Sequence, residues 1–174
     1  AQQQHQANIC AVQQGLDTEV YSPPRVVTFA SKHKLTPGHS IDVQCKDDNG
    51  EPVDLSSTNK RNQLIRLVAD TKPALVVGSP MCTMFTLLQN LNKNKDTPEY
   101  KQQMKQAISH IDFCIVLCCM QATATRYYLH EHPQSATSWK LPSVTEFIHK
   151  YKPMLVNANM CSFGMVATDA QGTG

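Results

Sequence analysis

The chain has 174 residues, enough for one domain with a substantial buried core. Hydrophobic residues at 41% and charged ones at 17% exclude a disordered chain, and a net charge of +2 does not by itself argue for a nucleic-acid surface. Seven cysteines, odd in number and irregular in spacing, predict a reduced, intracellular protein, nuclear or cytoplasmic, rather than a disulfide framework.

Residues 1–8 are polar and Gln-rich, and are expected to fray. The start, Ala-Gln-Gln-Gln-His-Gln, lacks the basic end and apolar run of a signal peptide. The longest apolar run, Phe113 to Met120, is far short of a membrane span, so no membrane partner is expected. Residues 9–166 read as one domain, with no internal repeat or linker, and 167–174 as a flexible end. The missing initiator Met and the trailing Gln171-Gly-Thr-Gly174 suggest a piece of a longer chain.

A first strand lies between Ile9 and Tyr21, ending at Glu19-Val20-Tyr21. Ser22-Pro23-Pro24 is a turn, because each proline lacks a donor and restricts its predecessor. A helix from about Arg25 to Lys34 turns Val26, Val27, Phe29 and Ala30 inward. Pro37-Gly38 ends that segment, and Ser40 to Val43 reads as a second strand with Asp42 near its end. Within the polar loop Lys46 to Ser57, Val53-Asp54-Leu55 is a candidate third strand. Ser57 or Thr58 then caps a helix with Leu64, Ile65 and Val68 on its buried stripe.

Ala74 to Val77 is a short strand buried on both faces, broken at Gly78-Ser79-Pro80. Cys82 follows in the turn, and a helix runs toward Leu91. After a charged loop from Asn92 to Pro98, expected to be flexible, a long helix fills Glu99 to Ala122. Arg126 to His130 is a strand leading into Glu131-His132-Pro133, and Pro142 opens a helix carrying Val144, Phe147, Ile148 and Tyr151. Met154 to Val156 reads as a final strand before Met160-Cys-Ser-Phe-Gly164. Strands alternating with helices predict an α/β fold, a doubly wound, mostly parallel sheet. Tyr21 to Arg25, Asp42, Asp54, Cys82 and Glu131 would all follow carboxyl ends of strands, where open α/β sheets bind ligands.

The order of elements resembles Rossmann-like class I methyltransferases that use S-adenosyl-L-methionine, and more narrowly the cytosine-5 DNA methyltransferases. Ser79-Pro80-Met81-Cys82 is similar to that family's Pro-Pro-Cys turn, and Glu131 stands where its Glu-Asn-Val glutamate does. The resemblance implies Cys82 as nucleophile on C6 of a flipped-out cytosine and Glu131 as the group steadying the base. It also implies a cofactor lying along Tyr21, Ser22, Pro23 and Arg25, with Asp42 on the ribose, Asp54 on the adenine, and Ser79 and Pro80 beside it. Tyr-Ser-Pro-Pro-Arg, Gly-Ser-Pro-x-Cys-Thr and His-Glu-His-Pro together are similar to divergent domains of retroelement polyproteins, across about residues 19–165. That implies DNA rather than RNA as partner, and further domains of a polyprotein. The glycine-rich first motif is replaced by Ser-Pro-Pro-Arg, the Gln after the Cys is Thr83, and the Gln-x-Arg-x-Arg motif is missing.

The chemistry has its own logic. Carbon 5 of cytosine is a poor nucleophile until a thiolate adds at C6, and the base must leave the helix to be reached. Other readings keep the fold. One is a degenerate binding module without catalysis. Another is a thiol hydrolase pairing Cys82 with His130, and a third an amino-methyltransferase whose proline turn aligns with Ser79–Cys82. His110, Cys114 and Cys118 share one helical face, but their apolar neighbours favour packing, and no metal is expected.

Overall fold

The computed structural model describes residues 16–33, 36–47, 49–159 and Ser162. The expected frayed start, residues 9–15, the close of the domain beyond Ser162 and the flexible end at 167–174 lie outside the described residues. Four strands, β1 (Leu16–Val20), β2 (Thr36–Ile41), β3 (Leu75–Gly78) and β4 (Tyr127–His130), form one sheet in the order β2-β1-β3-β4. Every pair is parallel. The connections carry α1 (Val26–Ala30), α2 (Thr58–Thr71) and α3 (Pro98–Thr123), and α4 (Pro142–Tyr151) follows β4. The fold is α/β and compatible with a Rossmann-like arrangement.

The pleat assigns the faces. Glu19 reaches the start of α1, whereas its neighbour Val20 packs with Leu64 and Val68 of α2 and with Phe113 and Leu117 of α3. Successive side chains of a strand point to opposite faces, so α1 covers one face and α2 and α3 the other. A second cluster joins Ile111, Ile115 and Cys118 of α3 to Val144 and Phe147 of α4, with Phe85 inserted between them. Thr97 caps α3, its hydroxyl accepting from the Tyr100 amide at 3.3 Å. By length and composition α3 could cross a membrane; here its apolar face is the shared spine of both core clusters.

Several expected elements differ. The first helix is shorter, continuing as a 3-10 turn over Ser31–His33, and Phe29 lies on the surface under the Lys32 ammonium. The second strand starts earlier, so Pro37-Gly38 lies inside it rather than ending the segment before it. β2 is an edge strand paired to β1 alone, where a proline without an N–H is tolerated. The pairing slips by one residue at this point, and Gly38 passes so close to the Asp17 carbonyl that a Cβ would collide with it.

Val53 to Leu55 is not a strand. The Asp54 side chain bonds the Ser56 amide at 2.8 Å and turns the chain, while Leu55 plugs the core. After Cys82 two 3-10 turns, Thr83–Phe85 and Leu87–Leu91, replace the expected helix. Met154 to Val156 forms no strand either. Met154, Leu155 and Val156 are all exposed and pair with no strand of the sheet, so neither burial nor a ladder stabilises them as a strand.

Candidate active site

At the carboxyl edge the ladder continues one residue beyond the strands. The Tyr21 amide donates to Ile41 O at 2.8 Å, Ser79 N to Val20 O at 3.1 Å, and Glu131 N to Gly78 O at 2.9 Å. Four turns therefore spring from one line, headed by Tyr21, Asp42, Ser79 and Glu131. Chain direction across the sheet reverses between β1 and β3, because β2 lies on one side of β1 and β3 on the other. Such a switch point opens a crevice between the two turns.

On the β1 side the turn Tyr21 to Arg25 is gripped from both faces. Glu19, fully buried, accepts from the amides of Arg25 (2.9 Å), Val26 (3.0 Å) and Val27 (3.2 Å), and from Ser40 Oγ (2.5 Å). A carboxylate taking the open amides at a helix start is a strong arrangement. Asp17, on the same face, is buried without a hydrogen-bond partner among the described residues, and burial pushes its carboxyl up.

Tyr21 adopts φ 62°, a left-handed conformation unfavourable for a side chain of its size. Its ring meets His110 edge-on at 5.3 Å, and its hydroxyl lies 3.0 Å from His110 Nδ1. Burial pushes the phenol up, so it stays protonated. Burial and then the Arg61 charge lower His110, which stays neutral, with Nε2 3.3 Å from Ser56 Oγ. Arg61 bonds Leu55 O at 2.5 Å and Ser109 Oγ at 2.7 Å and lies over the Phe113 ring. Asp54 is near enough for its charge to act on both Tyr21 and His110.

The fit to a nucleoside cofactor can be judged from the donors. Asp42 Oδ1 accepts from Gln44 N and Asp54 Oδ1 from Ser56 N, which leaves one oxygen of each carboxylate without a partner among the described residues. These suit ribose hydroxyls and an exocyclic amine. Ser22 Oγ donates to Pro23 O, and the amides of α1 are occupied by Glu19. The exposed Arg25 side chain is then the cation at hand for a carboxylate.

On the β3–β4 side Pro80 is buried, Cys82 half-buried and Met81 exposed. Phe85 N donates to Cys82 O at 2.8 Å, and the buried Phe85 ring anchors the turn. Thr137 Oγ1 donates to Phe85 O at 3.3 Å. Gly78 is a glycine for a packing reason, since a Cβ there would collide with Cys114 Sγ. His130 Nδ1 lies 3.3 Å from that same sulfur. Burial, then the neighbouring His132, pushes His130 down to about 4, while Cys118 and burial push the Cys114 thiol up. The pair is a thiol with a neutral imidazole and carries no charge. His130 thus bonds Cys114, and no hydrogen bond joins it to Cys82 among the described residues.

His132 is stacked on His130 (5.8 Å, 14°), with Trp139 edge-on to both. Burial lowers it, against the Glu131 charge and the Met81 and Pro80 carbonyls, which raise it. Glu131 itself is exposed, tied in only through its backbone among the described bonds.

The edge therefore brings Tyr21 to Arg25, Asp42, Ser79 to Cys82 and Glu131 to one rim, and Asp54 reaches it from a loop rather than from a strand end. His110 and Cys114, one turn apart on α3, diverge to Tyr21 and His130, and among the described residues no three such side chains form a metal site. Glu19 escaped the sequence reading as a site residue, although an acid one residue from a strand end and just before a proline turn was a usable signal. The Cys114–His130 and His132–Ser138 contacts left no such mark. No protein-family model, curated protein or solved structure matches the chain.

Proposed function

We propose that the switch-point edge is the site of an S-adenosyl-L-methionine-dependent cytosine-5 methyltransferase of class I architecture. One observation carries this reading. The Glu131 N to Gly78 O bond sets the turn bearing Cys82 and the turn bearing an open carboxylate on adjacent strand ends, beside the switch point. The Cys82 thiolate adds to C6 of a flipped base, and Glu131 holds the ring edge through the addition. Bound S-adenosyl-L-methionine supplies the methyl group. Asp42 and Asp54 hold its ribose and adenine, Arg25 its carboxylate, and Ser79 and Pro80 wall the crevice. Loss of the C5 proton then expels the Cys82 thiolate and restores the ring. The acceptor is DNA in preference to RNA, in the setting of an intracellular retroelement polyprotein.

The test is covalent trapping on DNA containing 5-fluorocytosine. Wild type should form the adduct with cofactor present, and Cys82→Ser should form none while still binding S-adenosylhomocysteine. At a hundredfold excess over Kd that ligand should add about 2.7 kcal/mol of stability. A second reading, a module of this fold without catalysis, is favoured by the saturation of the α1 amides by Glu19. A chain that binds DNA but is neither stabilised by S-adenosylhomocysteine nor trapped would establish it.

A further inference from the structure

His110 stands on α3, far along the chain from both cofactor turns, and the proposed chemistry gives it no task. Its Nδ1 lies 3.0 Å from the Tyr21 hydroxyl, and its Nε2 3.3 Å from Ser56 Oγ. The Ser56 amide in turn donates to Asp54 Oδ1 at 2.8 Å. One imidazole therefore bridges the Tyr21 to Arg25 turn and the loop that carries Asp54. Asp54 lies outside the sheet, so ladder bonds do not set its place against Tyr21.

The tautomer follows from the donors around the ring. Arg61 Nη2 approaches the same Nδ1 at 3.5 Å, and a guanidinium can only donate. Nδ1 of the neutral imidazole is then the acceptor and takes the Tyr21 hydroxyl, while Nε2–H donates to Ser56. The two nitrogens thus serve different segments. Arg61 is a second strut for the loop, since it also bonds Leu55 O and Ser109 Oγ. Loss of the imidazole should therefore loosen the loop without releasing it. We propose that His110 is a positioning residue, setting the Tyr21 turn and the Asp54 loop at one fixed spacing. A ligand that engages both then meets a preformed site. The inference deepens the cofactor half of the proposed function and rests on it. His110 itself touches no reacting atom.

Substitution of each nitrogen in turn supplies the test. His110→Asn places an amide near Nδ1 and nothing at Nε2, His110→Gln does the reverse, and His110→Phe removes both. Hydrogen exchange resolved by peptide should quicken about threefold at both 21–27 and 54–57 in His110→Phe. His110→Asn should quicken 54–57 alone, and His110→Gln 21–27 alone. Peptides of β3 and β4 should stay at the wild-type rate throughout. Affinity for S-adenosylhomocysteine should fall about fivefold in all three variants, because restoring one end does not restore the bridge. A histidine that served only local packing would let affinity recover with the rescued segment. Affinity within about twofold of wild type in either amide variant, an unchanged rate at 21–27 or 54–57 in His110→Phe, or an equal rise in β3 and β4 overturns the proposal. Should His110→Phe not fold, His110→Asn and His110→Gln carry the same test, each refuted by an unchanged rate at its severed segment. The exchange pattern needs no cofactor. A wild-type chain that binds no S-adenosylhomocysteine would overturn the methyltransferase reading, and the exchange rates would still decide this one.

Discussion

The two halves of the carboxyl edge hold their turns by opposite means. Beside β1 one buried carboxylate, Glu19, binds three amides and a hydroxyl, and Tyr21 is fixed by a phenol–imidazole bond. Beside β3 and β4 the anchors are rings: Phe85, His130, His132 and Trp139 pack on one another, and the buried imidazoles are held neutral. The first is a charged lock that fixes backbone, the second an uncharged pack that seats a thiol turn.

Glu19→Ala is the sharpest way to break this contrast. It strips the partner from three helix-start amides, and denaturant unfolding should show a loss of about 3–5 kcal/mol. Loss below about 1 kcal/mol would mean that water replaces the carboxylate and the lock is not what holds the turn.

The ring side should instead respond to pH. His130 has its folded value lowered to about 4 from an ordinary 6.5, so the unfolded chain binds the proton first as pH falls. The stability it contributes is complete above about 6.5 and disappears as pH drops toward about 4, roughly 3 kcal/mol in all. His130→Phe should flatten most of that slope in urea titrations across this range. His132 and His110 are lowered in the same sense and leave a residual slope.

A smaller effect tests the packing of the ring side directly. Gly78→Ala drives a methyl into Cys114 Sγ and should cost about 1–3 kcal/mol, with much of it recovered in the Gly78→Ala/Cys114→Ala double variant. Additive losses would show that the collision is relieved elsewhere. Smallest, Tyr21→Phe removes the bond to His110 and should cost about 1 kcal/mol. Tyr21→Gly tests the left-handed backbone, and a gain in stability there would mean that strain outweighs the ring's contacts.

Much of the edge could be read from the chain. Gly78-Ser79-Pro80 after an apolar run, and His130-Glu131 after another, are local signals, and both turns lie where those signals put them. Pro37-Gly38 gives the same signal and misleads, because a breaker in a central strand is harmless on an edge strand, and position in the sheet is not written locally. Met154 to Val156 misleads as well: strand-like residues form no strand where they are left exposed and unpaired with the sheet.

Periodicity and turn chemistry, acting over a few residues, thus determined the α/β alternation and the company of Cys82 and Glu131 at strand ends. Which partner each buried polar group found was decided only by tertiary structure. Glu19 reaches amides six to eight residues on, and Ser40 twenty-one away; Tyr21 meets His110 across eighty-nine. Those pairings depend on strand order and on which face each side chain takes, and a one-residue slip would reverse every face.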